Sequence, residues 1–127
     1  MLGPDPDEPT RAEFLRWLVF LVANVYQTFA FGDVPTRFVA DPQAAEAFKT
    51  KVGEYREKMW RVVEDAAQAP WFLGERFSAI DLYLVAMTYW FPRRQWFAAN
   101  ALKISAIAAK AEASPKLAEI WKRNFLR

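Results

Sequence analysis

Apolar residues recur along this chain at helical spacing, and the polar breaks between them carry helix-start chemistry. From Phe14 to Phe31 only Arg16, Asn24, Gln27 and Thr28 are polar. An amphipathic surface helix shows one apolar stripe; this segment is apolar nearly all round. It predicts either a helix through the centre of a bundle or a helix with one face meant for something outside it. Thr10-Arg11-Ala12-Glu13 reads as a capping box opening that helix, and Gly32 as its end. Asn24 and Gln27 stand three apart, as helix neighbours do, framed by Phe20 and Phe31. Such a polar pair suits a ligand surface, or satisfies backbone groups where helices cross.

A loop through Pro35 to Ala40 precedes Asp41-Pro42, a cap followed by proline at the first helical position. The second helix runs to about Gln68, roughly 40 Å at 1.5 Å per residue. Its apolar stripe is Ala45, Phe48, Val52, Tyr55, Met59, Val62, Val63 and Ala66. The remaining positions, Arg56 and Glu64 among them, form a solvated charged surface, with Glu54–Lys58 and Glu57–Arg61 spaced for ion pairs.

After Ala69-Pro70 and a short apolar turn, Trp71 to Gly74, comes the clearest local signal. Ser78 is an N-cap with Asp81 at N3, and Phe77 at N′ can staple to Leu82 at N4. These four read as structural residues. The following segment carries no charge from Leu82 to Phe91, which predicts a central, buried helix ended by Pro92. Arg93 to Ala99 reads as a turn or short helix. Asn100 then caps a helix to about Glu112, and Ser114-Pro115 opens a last one with Leu117, Ile120, Trp121 and Phe125 inward. The expected fold class is all-α, a bundle of about five helices. Residues 1–9 form a linker or lead-in, and 10–127 a single helical domain.

With 127 residues, 54% hydrophobic and 17% aromatic, the chain has material for one core. Zero Cys removes disulfides and thiolate nucleophiles; zero His removes imidazole chemistry and the commonest zinc ligand. No metal site and no catalytic residue are expected, and Asp81 is fully accounted for by capping. The longest unbroken apolar run, Trp17 to Ala23, is short of the roughly 20 residues of a membrane span. With no secretory leader, a cytoplasmic location and no membrane partner are expected. Net charge is uneven: residues 1–92 carry 9 Lys/Arg and 13 Asp/Glu, residues 93–127 carry 8 and 2. That basic end reads as solvated helix faces before a patch for an anion or nucleic acid.

The ordered set resembles a family. Phe72-Leu73-Gly74-Glu75-Arg76-Phe77-Ser78-Ala79-Ile80-Asp81 and Ser114-Pro115-Lys116-Leu117-Ala118-Glu119-Ile120-Trp121, after one long apolar and one longer amphipathic helix, resemble the C-terminal helical domain of bacterial cytosolic glutathione transferases. The likeness covers about residues 8–126. It implies a hydrophobic co-substrate pocket and an oligomer (dimer) interface for conjugating glutathione to small hydrophobic electrophiles. It further implies that glutathione and the thiol-activating group are held by a thioredoxin-like domain, without counterpart in this chain, so the chain alone is expected to be inactive. The likeness points to Phe20, Asn24, Tyr26, Gln27, Tyr89 and Trp90 as substrate-binding residues. Several bacterial members carry a His-Lys pair on the first helix; the matching positions here are Tyr26 and Gln27, which argues against a beta-class-like active site. The alternative is a non-catalytic protein-interaction module of the same fold, partnered by another domain or subunit.

Overall fold

The computed structural model describes residues 2–125. The ends of the expected lead-in and of the expected domain, residues 1, 126 and 127, lie outside them. All regular structure in the described residues is helical apart from an isolated bridge between Trp71 and Gly74. The elements are α1 (Arg11–Phe20), a π turn (Leu21–Tyr26), α2 (Gln27–Asp33), a 3-10 turn (Pro35–Arg37), α3 (Pro42–Ala66), α4 (Ala79–Thr88), α5 (Arg94–Asn100), α6 (Leu102–Glu112) and α7 (Pro115–Phe125). The all-α expectation holds. Since α1, the π turn and α2 form one continuous helix, the bundle has six helical bodies among the described residues, one more than expected.

The expected box at Thr10 is not formed. Thr10 has φ −77° and ψ −6° and no side-chain capping bond. A cap needs an extended residue, but the turn bonds Glu8 N to Asp5 O and Arg11 N to Glu8 O already coil the chain before Thr10. The lead-in is ordered: the Leu2 carbonyl accepts from the Ala79 amide at 2.6 Å, and Arg76 pairs with Glu8 at 2.6 Å. It thereby satisfies one of the orphan donors at the start of α4.

The long first helix has two sides. Phe14, Trp17, Leu21, Val25, Thr28 and Gly32 are buried, while Leu15, Val19, Val22 and Tyr26 are 42%, 62%, 48% and 45% exposed. From Arg11 to Asp33 the helix is long and apolar enough, by length and composition, to cross a membrane, unlike the sequence expectation. Its buried stripe is a wall of this bundle's core. The π turn widens the backbone ladder. Two side chains then bond back to carbonyls, Asn24 Nδ2 to Phe20 O at 3.3 Å and Thr28 Oγ1 to Val25 O at 2.6 Å.

α3 begins as expected, with Asp41 Oδ1 accepting from the Ala44 amide at 2.7 Å. Its buried side is different from the expected stripe. Arg56 and Trp60 are buried, whereas Tyr55 and Val62 are exposed. Trp60 meets Phe97 of α5 edge-on at 4.9 Å, and this contact turns the helix. Glu54 takes Lys51 at 2.8 Å as its ion-pair partner; Arg61 turns to Asn100 and to the Trp96 ring.

The Ser78–Asp81 capping box is present. Ser78 N donates to Asp81 Oδ2 at 2.7 Å, and Asp81 Oδ1 accepts from Phe72 N at 2.8 Å. Gly74, at φ +97°, closes the preceding turn in a conformation that other residues rarely adopt. Phe77 and Leu82 both pack against the cluster of Val85, Ala108, Ala111 and Trp121, and Phe77 also meets Trp71 edge-on at 4.8 Å. α4 stops at Thr88, earlier than Pro92, as Tyr89 to Phe91 turn out of the helix.

Asn100 does not cap α6. It is the last residue of α5, and its Nδ2 donates to Trp96 O. The cap comes from α3: Glu64 Oε1 and Oε2 accept from the amides of Lys103 and Ile104, each at 2.9 Å. In α7, Trp121 is buried and Leu117 and Phe125 are half-buried, but Ile120 is 51% exposed rather than inward.

Candidate functional site

The side of α4 expected to be buried throughout is open along one flank. Ala79, Leu82, Tyr83 and Ala86 are half-buried. They stand at i, i+3, i+4 and i+7, one helical stripe. Leu18 and Val22 of the first helix face them, and the six side chains line an apolar groove of about 470 Å³. The groove is shallow and open to solvent along its length.

Tyr83 also belongs to an aromatic cluster. Its ring lies 6.4 Å from Tyr26, which in turn is 5.9 Å from Trp90 and 6.3 Å from Phe29; Phe29 meets Trp90 edge-on at 5.4 Å. The end of the π turn supplies Tyr26, α2 supplies Phe29, and the early end of α4 lets Trp90 swing back. Burial, and secondarily the nearby Tyr26, push the Tyr83 phenol above its ordinary range. It therefore stays protonated near neutral pH and can donate a hydrogen bond. Walls that are apolar almost throughout, with the Tyr83 ring among them, suit a flat, apolar molecule.

Of the six residues named from sequence, Tyr26 and Trp90 share this cluster. Phe20 packs into the core, edge-on to Trp17 at 5.3 Å. Asn24 is half-buried with its amide on the Phe20 carbonyl, which is the backbone-satisfying role. Gln27 is exposed. Tyr89 lies elsewhere, stacked on Phe125 at 4.5 Å and under the Arg94 guanidinium. Tyr83, Phe29, Leu18 and Val22 were missed. The stripe through Ala79 and Tyr83 is the signal that would have found α4's share.

Among the described residues, no Ser, Thr or Lys lines the groove. Ser78, the nearest serine in sequence, is 3% exposed and donates to Asp81 Oδ2 at 3.1 Å. Burial raises the Asp81 carboxyl above its ordinary range, against the hydrogen bonds from Phe72 and Ser78 that lower it. This carboxylate is thus committed to the backbone.

Comparison with known proteins bears on the family resemblance read from the sequence. Over 124 residues, 97% of its length, the chain is 43% identical to the "Uncharacterized GST-like protein YncG" of Escherichia coli strain K12. The chain is similar to a GST-like protein. It spans 60% of the length of that relative. No family model matches the chain, and no solved structure matches it. The likeness to the glutathione transferase family read from Phe72 to Asp81 and from Ser114 to Trp121 is borne out, and the helical fold accords with it. The groove between α1 and α4 is the candidate site.

Proposed function

We propose that the chain supplies the hydrophobic co-substrate pocket, and part of an oligomer or domain interface, for conjugation of glutathione to small electrophiles. The observation that carries this reading is the groove bounded by Leu18, Val22, Leu82 and Tyr83 and ending on the aromatic cluster. Its walls bind the apolar body of an electrophile. The Tyr83 ring packs against it and sets its orientation. The exposed row Leu15, Val19 and Val22 receives a thioredoxin-like domain or second subunit, which brings glutathione and activates its thiol. Attack by that thiolate on the electrophilic carbon forms the thioether, and the leaving group departs with its electron pair.

In this reading the thiol is bound and activated by the docking thioredoxin-like domain and not by this chain. The purified chain is therefore expected to show no conjugation of glutathione to an aromatic halide above the uncatalysed rate. In calorimetric titration it is expected to bind an aromatic glutathione conjugate and not glutathione itself. Turnover by the pure monomer, or equal binding of both, would refute this reading. A protein partner captured with no conjugate binding would favour the interaction module instead.

A further inference from the structure

A separate cavity of about 520 Å³ lies between the end of α2, the first half of α3 and Phe91, and shares no lining residue with the groove. Arg56 lines it and is 5% exposed. Two bonds fix the guanidinium: Nε donates to Thr28 Oγ1 at 2.7 Å and Nη2 to the Thr28 carbonyl at 3.0 Å. The Phe29 ring lies 3.9 Å from its central carbon. Gly32 permits this approach, since a Cβ there would come 3.2 Å from Nη2. No carboxylate lies within ion-pair distance of Arg56 among the described residues, and Nη1 makes no hydrogen bond there. Burial without a counter-ion lowers the guanidinium's proton affinity, and the field of Asp33 opposes that. A charge in this state is costly to bury and gains strongly from a paired oxyanion.

The rim has the opposite sign. Asp33, Glu46 and Glu57 line it without ion-pair partners among the described residues, Glu54 is held by Lys51, and Lys49 is the other cation. A simple anion meets those carboxylates on entry, and a simple cation leaves Arg56 uncompensated. The wall between them is cut away at Gly53, where a Cβ would meet nothing within 4 Å. Glycine inside a helix costs about 1 kcal/mol relative to alanine, and here it borders open space.

We propose that this cavity binds a small zwitterion of the α-amino acid type, with its carboxylate on Arg56, its ammonium among Asp33, Glu46 and Glu57, and its apolar side chain against Phe91. The site is independent of the groove and of any conjugation chemistry. The test is calorimetric titration of the full chain with L-phenylalanine, with 3-phenylpropanoate and with 2-phenylethylamine. L-Phenylalanine should bind at least about tenfold tighter than either singly charged analogue, as one added charge-assisted hydrogen bond would give. Arg56 also ties α2 to α3, so the decisive variants are elsewhere. Gly53→Leu should project into the cavity beside Arg56 and weaken binding at least about tenfold while its circular dichroism and unfolding midpoint stay at or above the parent's. Glu57→Gln should weaken L-phenylalanine and the amine but not the propanoate. No saturation at millimolar L-phenylalanine, equal binding of the three probes, or undiminished binding by Gly53→Leu would each overturn the proposal.

Discussion

Asp81 joins two segments with one carboxylate: one oxygen takes the Phe72 amide of the preceding turn, the other the Ser78 amide of its own helix cap. An asparagine at this position offers one acceptor and a competing amide donor. Asp81→Asn is therefore expected to destabilise the fold by about 1–3 kcal/mol, the range for leaving a buried donor unsatisfied, in a urea titration. The carboxyl's pKa is raised by burial, so the folded state holds this proton to higher pH than the unfolded chain does. The resulting contribution is present in full below the ordinary aspartate range and lost as pH rises through the folded value. Paired denaturation curves from about pH 4 upward should show a fall in the parent that the variant lacks in the same window. The local half of this arrangement was readable, because Ser78 and Asp81 are three apart. The bond to Phe72, nine positions away through a turn, follows from no periodicity.

At the scale of elements, helix spacing placed α3, α4 and α7 within a few residues of their observed ends. Faces were harder. A three-four repeat fixes the pitch of a stripe but not its centre, and the centre of α3 is set by Trp60 against Phe97 and by Arg56 on Thr28. Those contacts span 37 and 28 positions, beyond any local window. The same holds for α6, whose start is capped from α3 by Glu64, while the nearby Asn100 belongs to α5. Removing that carboxylate leaves two amides without their acceptor. Glu64→Ala is expected to cost about 1–2 kcal/mol, as loss of a good cap does, while Asn100→Ala changes stability by less than about 0.5 kcal/mol. Urea midpoints of the two variants, compared at equal slope, check the ranking.

Across the whole molecule, the first helix meets the core on one side and leaves apolar residues uncovered on the other. The all-round apolar composition was legible, but which residues would remain open depended on where the π turn and α4 lie. For the candidate site, Tyr26 and Trp90 were named from the family resemblance, and the structure brings those two into one aromatic cluster. Tyr83 was passed over because an uncharged helix looks wholly buried in sequence. Within the open row Val22 also walls the groove, whereas Leu15 and Val19 line no cavity. Leu15→Asp with Val19→Asp is therefore expected to leave the unfolding midpoint nearly unchanged, within about 0.5 kcal/mol, while lowering self-association or binding of a thioredoxin-like domain at least about tenfold. Sedimentation velocity over a concentration series measures the second quantity and a urea titration the first.

The helix that carries this open row is anchored from behind by Phe14, Trp17, Leu21 and Val25, all buried in the core. Its backbone is thus already fixed before anything docks. Ordering a backbone residue costs about 1–2 kcal/mol, and a partner landing on this surface is spared that cost along the whole row. Association should then proceed with a small entropic penalty and with hydrogen-exchange rates behind the surface nearly the same in the free and bound states.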